Sequence, residues 1–167
     1  FQARVEAAMD TAAAAGHVVE PPLVLDPAAN AVAAARRYVR RALARLDAQE
    51  LEESAELAVS ELVTNALLHA RTAFAITVRS TPAGRVRIEV SDSSPLPPQE
   101  RRFGLGATTG RGLRLVEAVS GAWGIDPLEG ERPGKTVWFE PRADGEGPPA
   151  QDLTTVEDWF PGTAPTA

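Results

Sequence analysis

The sequence predicts an α/β domain in which amphipathic helices pack against a β-sheet. Apolar residues recur at helical spacing over 27–46 and 51–70, which indicates two long helices. Apolar and polar residues alternate over 73–79 and 85–91, on either side of a Pro-Ala-Gly turn at 82–84. We expect these two strands to form an antiparallel hairpin with one buried face.

Composition restricts the classes of protein and of site that are open to this chain. Its 167 residues, 44% hydrophobic and 24% charged, suit one globular domain with short appendages. It has no cysteine and two histidines, which excludes disulfides and thiolate metal sites and gives no sign of zinc. A net charge of -6 argues against direct nucleic-acid binding. No apolar run reads as a membrane span or a signal peptide, so we expect a cytoplasmic protein.

Three segments differ in their patterning. Residues 1–22 read as an Ala-rich helix and an extended linker, and residues 23–141 carry the periodic patterns of a folded domain. Residues 142–167 are acidic and rich in Gly and Pro, which predicts a flexible tail. The chain begins at Phe1 rather than Met, which leaves room for a longer parent protein.

The first long helix is expected to begin at Asp26-Pro27, because a capping carboxylate followed by proline favours a helix start. It carries a strongly basic surface. The simpler interpretation is a solvated face, and the alternative is a docking surface for an acidic partner. The basic residues are Arg36, Arg37, Arg40, Arg41 and Arg45.

The second long helix carries the most informative polar residues. Glu61, Asn65 and His69 are spaced four residues apart, so they line one side of the helix within an apolar arc. Burying a carboxylate and an amide without partners costs several kcal/mol, on the order of 2–7. A ligand or a metal ion would supply those partners, whereas a solvated polar edge would not need them. This helix alone does not decide between the two interpretations.

Asp92 is the second candidate. It shares strand parity with Val86, Ile88 and Val90, so it is expected on the buried face where the strand ends. A carboxylate there is well placed to accept a hydrogen bond from a ligand amino group. The alternative is an Asx turn that caps the following loop.

A glycine-rich junction follows a predicted loop over 93–109 and opens a predicted helix over 111–120. Glycines and the free N–H groups of a helix start can hold a phosphate, although Gly-x-Gly before a helix is common. The spacing does not fit a Walker motif. Strands are expected near 122–126 and 135–140, with Thr136, Trp138 and Glu140 on one face of the last strand.

Taken together and in this order, these segments resemble the GHKL ATPase family. Glu61-x-x-x-Asn65 looks like the N box, and Asp92 opens what looks like the first glycine box. Gly110-Arg111-Gly112-Leu113 looks like the second glycine box, and Gly134-Lys135-Thr136 like the last conserved strand. The resemblance spans roughly Leu23 to Pro141. It implies the Bergerat fold, an α+β two-layer sandwich with a mixed, largely antiparallel sheet covered on one face by helices.

The resemblance implies ATP and Mg²⁺ as ligands. Asn65 would coordinate Mg²⁺, Glu61 would act as general base, and Asp92 would bind the adenine amino group with Thr136 nearby. His69 is included among the nucleotide-binding residues, and residues 96–109 would form a mobile lid over the phosphates. The second glycine box would hold those phosphates through Gly110, Arg111, Gly112 and Leu113.

The run 60–66 with a nearby His69 is especially similar to the anti-sigma-factor kinases of actinobacteria. The implied function is a serine/threonine kinase that phosphorylates an anti-anti-sigma (STAS) protein and sequesters a sigma factor. Because many relatives are dimers, the resemblance also leaves a homodimer open.

Two alternatives remain. One is a nucleotide-binding interaction module without catalysis, because Ser93-Ser94-Pro95 stand where the family carries glycines. The other is a histidine-kinase catalytic domain with His17 as phosphoacceptor, although the residues around His17 read as extended rather than helical.

Overall fold

The computed structural model describes residues 16–70, 72–94, 111–128 and 134–143, and within them three helices pack against one six-stranded sheet. The expected helix over 1–15, the lid over 96–109 and most of the tail lie outside these residues. The helices are α1 (Ala31–Arg45), α2 (Glu52–Asn65) and α3 (Arg111–Val119). The strands are β1 (His17–Val18), β2 (Leu23–Leu25), β3 (Phe74–Ser80), β4 (Val86–Asp92), β5 (Ser120–Leu128) and β6 (Gly134–Pro141).

The sheet confirms the two-layer architecture. Its order is β1-β3-β4-β6-β5, with β2 also beside β3. Every pairing between described strands is antiparallel, so the described sheet is antiparallel rather than mixed. One face carries the core residues of the strands, and these pack against the buried faces of all three helices. The sheet residues of this core include Phe74, Ile76, Val78, Ile88, Val90, Val137 and Phe139.

The predicted hairpin is confirmed with a shift of one residue at each strand. β3 and β4 pair from Phe74 opposite Asp92 to Ser80 opposite Val86. The turn between them includes Gly84, whose φ of +76° favours glycine. Along β4 buried and half-buried residues alternate, which is the period-2 pattern that predicted the strand.

The predicted start of the first helix is wrong. α1 begins at Ala31 rather than at Pro27, and Asn30 is its N-cap residue without a side-chain cap. The amide of Ala31 donates to the carbonyl of Ala28, so a separate turn precedes the helix. The capping signal at Asp26-Pro27 therefore does not cap this helix, because a separate turn lies between it and the first residue of α1.

Three of the five arginines of α1, Arg40, Arg41 and Arg45, form ion pairs with described carboxylates, and a fourth forms a neutral hydrogen bond. The Nε of Arg36 donates to Ser60 Oγ at 2.7 Å, and Arg40 pairs with Glu56. Arg45 Nε lies 3.0 Å from a carboxylate oxygen of Glu20. These contacts tie α1 to α2 and to Glu20 in the connection between β1 and β2, which favours a structural role over a docking role for acidic partners.

Two junctions between elements differ from expectation. α2 continues into a π-helical turn over Ala66–Ala70, so the expected end of the helix at residue 70 holds but its last turn is wider than an α-helix. α3 passes directly into β5 at Ser120 instead of ending at Gly121. No described helix is long and apolar enough to cross a membrane.

Asp47, just after α1, has a φ of +52°, which is the left-handed conformation that commonly ends a helix. We expect Asp47→Gly to raise the free energy of unfolding by about 0.5–1 kcal/mol, because glycine adopts this conformation without steric cost. Urea unfolding of the two proteins measures the difference. Asp26→Gly, outside a helix end, is the comparison, and equal midpoints for Asp47→Gly and the parent would contradict the assignment.

Burial raises the pKa of Tyr38 to about 12. An unfolded tyrosine ionises near pH 10, so between pH 10 and about 12 only the unfolded chain releases this proton. The stabilisation is therefore complete below pH 10 and is lost as the pH rises towards 12. Tyr38 is the chain's one tyrosine, so phenolate absorbance reads it directly. A native midpoint equal to that measured in concentrated urea would contradict this prediction.

Candidate functional site

Gly112, in the first turn of α3, brings that helix against the polar side of α2. A methyl group added at Gly112 would lie 2.8 Å from Glu61 Oε2 and 3.7 Å from Asn65 Nδ2. Carbon atoms essentially never come within 3.0 Å of such a neighbour, so an alanine here would push the Glu61 carboxylate aside. Three residues predicted from two separate motifs are therefore adjacent in the fold.

The side chains of Glu61 and Asn65 have unused hydrogen-bonding capacity. Both are half-buried, and neither hydrogen-bonds or forms an ion pair with another described residue. Partly buried polar groups are normally paired, so their free oxygens indicate a ligand or solvent partner. A binding site and a solvated polar edge both fit this arrangement, so the role of Glu61 and Asn65 stays a prediction.

The donor set fits Mg²⁺ carried by a phosphate ligand better than a metal held by protein alone. No group of three or more His, Cys, Asp or Glu side chains that could hold a metal occurs among the described residues. Asn65 and Glu61 supply oxygen atoms, which Mg²⁺ prefers, and Mg²⁺ usually takes its remaining ligands from water and phosphate. Gly112 lets the Glu61 side chain lie directly against the start of α3, where backbone N–H groups favour an anion.

Leu113 contributes packing rather than a ligand contact through its side chain. It is buried in the core together with Val116, so α3 is held firmly on α2. Only its backbone amide is left to face a phosphate. Gly110 and the side chains of Arg111 and His69 lie outside the described residues, and their predicted roles stay predictions.

Asp92 lies on the buried face of β4, as its parity predicted, and forms an ion pair that the sequence pattern did not predict. Lys135 Nζ is 2.9 Å from Asp92 Oδ1, and both residues are at most 8% exposed. The amide of Ser94 donates to the same oxygen at 2.8 Å. The expected alternative, an Asx turn, is therefore present, and it coexists with a buried charge pair.

Thr136 does not accompany Asp92, which corrects the expectation. Lys135 is the residue directly opposite Asp92, whereas Thr136 is opposite Ser91. Because side chains of paired residues share a sheet face and neighbours alternate, Thr136 lies on the far face. Its hydroxyl is 2.7 Å from the Ser91 hydroxyl there.

A signal for Lys135 was present in the sequence. It shares parity with Val137 and Phe139, so a lysine stands among the core-facing residues of the last strand. A charged residue on a core face needs a partner, which makes it a site candidate. The strand register that names Asp92 as this partner is not readable from the pattern alone.

Both parts of the site lie towards the same end of the domain. α2 leads through its π-helical turn to Phe74, which is paired with Asp92 at the start of β3. Thr72 Oγ1 is 2.9 Å from Ser93 Oγ, which joins that connection to the end of β4. Gly134 opens β6 at the same end, with its Cα packed against the backbone of Asp92 and Ser93.

The fold and the site define a sheet-and-helix domain with an acidic and an amide side chain beside a glycine at a helix start. The sequence model of the histidine kinase-like ATPase domain matches residues 25–140. This match covers most of the chain, and the chain therefore belongs to that family. No curated protein matches the sequence significantly.

The solved structures that are similar to this chain include the following two. The RsbU and RsbW domains of a Mycobacterium tuberculosis protein align with 23% identity and a TM-score of 0.52 over 74% of this chain. The chain spans about a third of that structure's length, 33%. A blue-light-activated histidine kinase from Erythrobacter litoralis aligns with 22% identity and a TM-score of 0.39, covering 83% of this chain and 72% of that one. At this identity the first similarity supports the fold.

We expect Gly112→Ala to leave the domain folded and to lower ATP turnover, because the new methyl group displaces the Glu61 carboxylate. The loss is expected to stay below about 10²-fold, the cost of misplacing a reacting group by about 1 Å, because the Glu61 side chain has to move by less than that. The matched control is Gly121→Ala, whose methyl group would meet its nearest atom at an ordinary 3.5 Å. Steady-state turnover and thermal unfolding measure both effects, and equal turnover in the two variants would contradict the role of Gly112.

Proposed function

We propose that this chain is a Mg²⁺-dependent, ATP-using protein kinase that transfers phosphate to a serine or threonine of an anti-anti-sigma (STAS) protein. The observation that carries the proposal is the close approach of Gly112 to Glu61 and Asn65, whose side chains have no partner among the described residues. A carboxylate, a side-chain amide and a helix start lie close together there, which supports a site for a phosphoryl group with its metal ion.

Phosphoryl transfer needs positioning and charge neutralisation more than covalent chemistry from the protein. The acceptor hydroxyl oxygen forms a bond to the γ-phosphorus while the bond from that phosphorus to the β,γ-bridging oxygen breaks, and ADP leaves. In this proposal Glu61 accepts the proton of the hydroxyl, Asn65 holds Mg²⁺, and the amides at the start of α3 hold phosphate oxygens.

The class of partner is supported by the similarity of residues 60–66 to anti-sigma-factor kinases. The fold shared with a structure that contains an RsbW domain is compatible with it. In its free state the chain would bind a sigma factor, and phosphorylation of the STAS protein would keep that protein from competing. A cytoplasmic location and a homodimer stay predictions.

The second candidate function is a nucleotide-binding module that regulates by contact alone. The observation in its favour is the Asp92–Lys135 ion pair. Lys135 already occupies one oxygen of the Asp92 carboxylate, which is proposed to bind the adenine base. The third candidate, a histidine kinase with His17 as phosphoacceptor, is not supported, because His17 lies in a short strand paired with Ser80.

We expect Glu61→Gln to retain binding of Mg²⁺-ATP and to lose phosphate transfer to a STAS protein by about 10²–10⁴-fold, the usual contribution of a general base. Asn65→Ala is expected to weaken binding only when Mg²⁺ is present, because the metal loses a protein oxygen. Calorimetry measures binding, and labelled ATP measures transfer.

The matched control is Glu53→Gln, the same change at an exposed position in the first turn of the same helix. It should leave both binding and transfer unchanged. Transfer that persists in Glu61→Gln at the level of Glu53→Gln would remove Glu61 as the base. Binding of ATP without any transfer by the parent protein would favour the regulatory module.

A further inference from the structure

The Asp92–Lys135 ion pair lies where the proposed function places the nucleobase. Both side chains face the helices, and as whole residues Asp92 and Lys135 are 4% and 8% exposed. A buried ion pair is weak evidence for stability, since apolar residues of similar size are often equally stable. A lysine on the core face of β6 is therefore better explained by what its ammonium group contacts.

The pair retains hydrogen-bonding capacity on both partners. Asp92 Oδ1 accepts from Lys135 Nζ and from the amide of Ser94, whereas Oδ2 has no partner among the described residues. A fully buried polar atom without a partner would be unsatisfied, and Oδ2 is not such an atom among the described residues. Oδ2 is therefore in contact with solvent. It can accept a hydrogen bond from a ligand.

Lys135 has a matching free donor. Its ammonium group carries three N–H bonds, of which one reaches Asp92 and a second points to the carbonyl of Ser94 at a long 3.5 Å. At least one N–H remains. The pair therefore presents a hydrogen-bond acceptor and a charged donor side by side at the end of the sheet.

We propose that Lys135 is a base-specificity residue that donates to N1 of adenine while Asp92 Oδ2 accepts from the adjacent N6 amino group. This inference rests on the proposed ATP site and adds a residue to it. An amino donor next to a ring-nitrogen acceptor is the pattern of the Watson–Crick edge of adenine, and two adjacent contacts select a base more strongly than one. In the same orientation guanine presents an acceptor to Asp92 and a donor to Lys135, which excludes it.

Binding of a nucleotide series in the presence of Mg²⁺ tests this without relying on catalysis. The probes are ATP, 1-deaza-ATP, which lacks the N1 acceptor, purine riboside triphosphate, which lacks the N6 amino group, and GTP. The parent protein should bind 1-deaza-ATP and purine riboside triphosphate each about 10–100-fold more weakly than ATP, as expected for loss of a hydrogen bond to a charged group. GTP should bind at least as weakly.

Lys135→Met isolates the lysine. It should lose about the same factor in ATP affinity, bind ATP and 1-deaza-ATP equally, and still discriminate against purine riboside triphosphate through Asp92. Lys135→Gln keeps an N–H donor and should retain part of the discrimination at N1. A merely structural lysine would instead weaken all four nucleotides alike and leave their ratios unchanged.

The outcomes separate this inference from the kinase proposal. If the parent protein binds 1-deaza-ATP or GTP as tightly as ATP, the inference is overturned, and this comparison needs no variant to fold. Discrimination at N1 that survives Lys135→Met overturns it as well. Discrimination at N1 in a protein that never transfers phosphate supports the inference and contradicts the kinase, whereas no binding of any triphosphate overturns both.

Discussion

The close approach of α3 to α2 at Gly112 is the constraint on which the proposed site depends. Side chains of Leu113 and Val116 fix α3 on the core, so the position of residue 112 follows from packing and not from a flexible loop. At that distance any side chain at Gly112 would occupy the space beside Glu61 and Asn65. The same helix thus contributes to the core and to the polar site. One of its faces is apolar, and its first turn contains Gly112.

Local patterns predicted what local patterns can determine. α2, the β3–β4 hairpin and the buried direction of Asp92 all follow from periods of 3.6 or 2 within one segment. The predicted start of α1 was wrong because Asp26-Pro27 has the residues of a helix cap but does not cap the helix. The π-helical turn after Asn65 was missed because a single wider turn leaves no distinct apolar period.

Contacts between distant strands could not be predicted in the same way. β4 and β6 are separated by more than forty residues, and their register is set by packing and backbone hydrogen bonds across the sheet. A shift of one residue in that register exchanges Lys135 for Thr136 beside Asp92, which converts a buried ion pair into a neutral contact. Which residue of β6 lies beside Asp92, and so beside the proposed adenine base, is therefore determined by the assembled sheet. The sequence shows only that Lys135 is buried, because it shares parity with Val137 and Phe139.

β5 lies at one edge of the described sheet and contains Pro127 beside the exposed Asp126. Proline has no amide hydrogen that could bond to an added strand, and burying a carboxylate against another backbone is unfavourable. A strand from a second molecule would find an interrupted ladder there. This edge is accordingly a poor template for intermolecular β-pairing, which protects a domain built from antiparallel strands against fibrous aggregation.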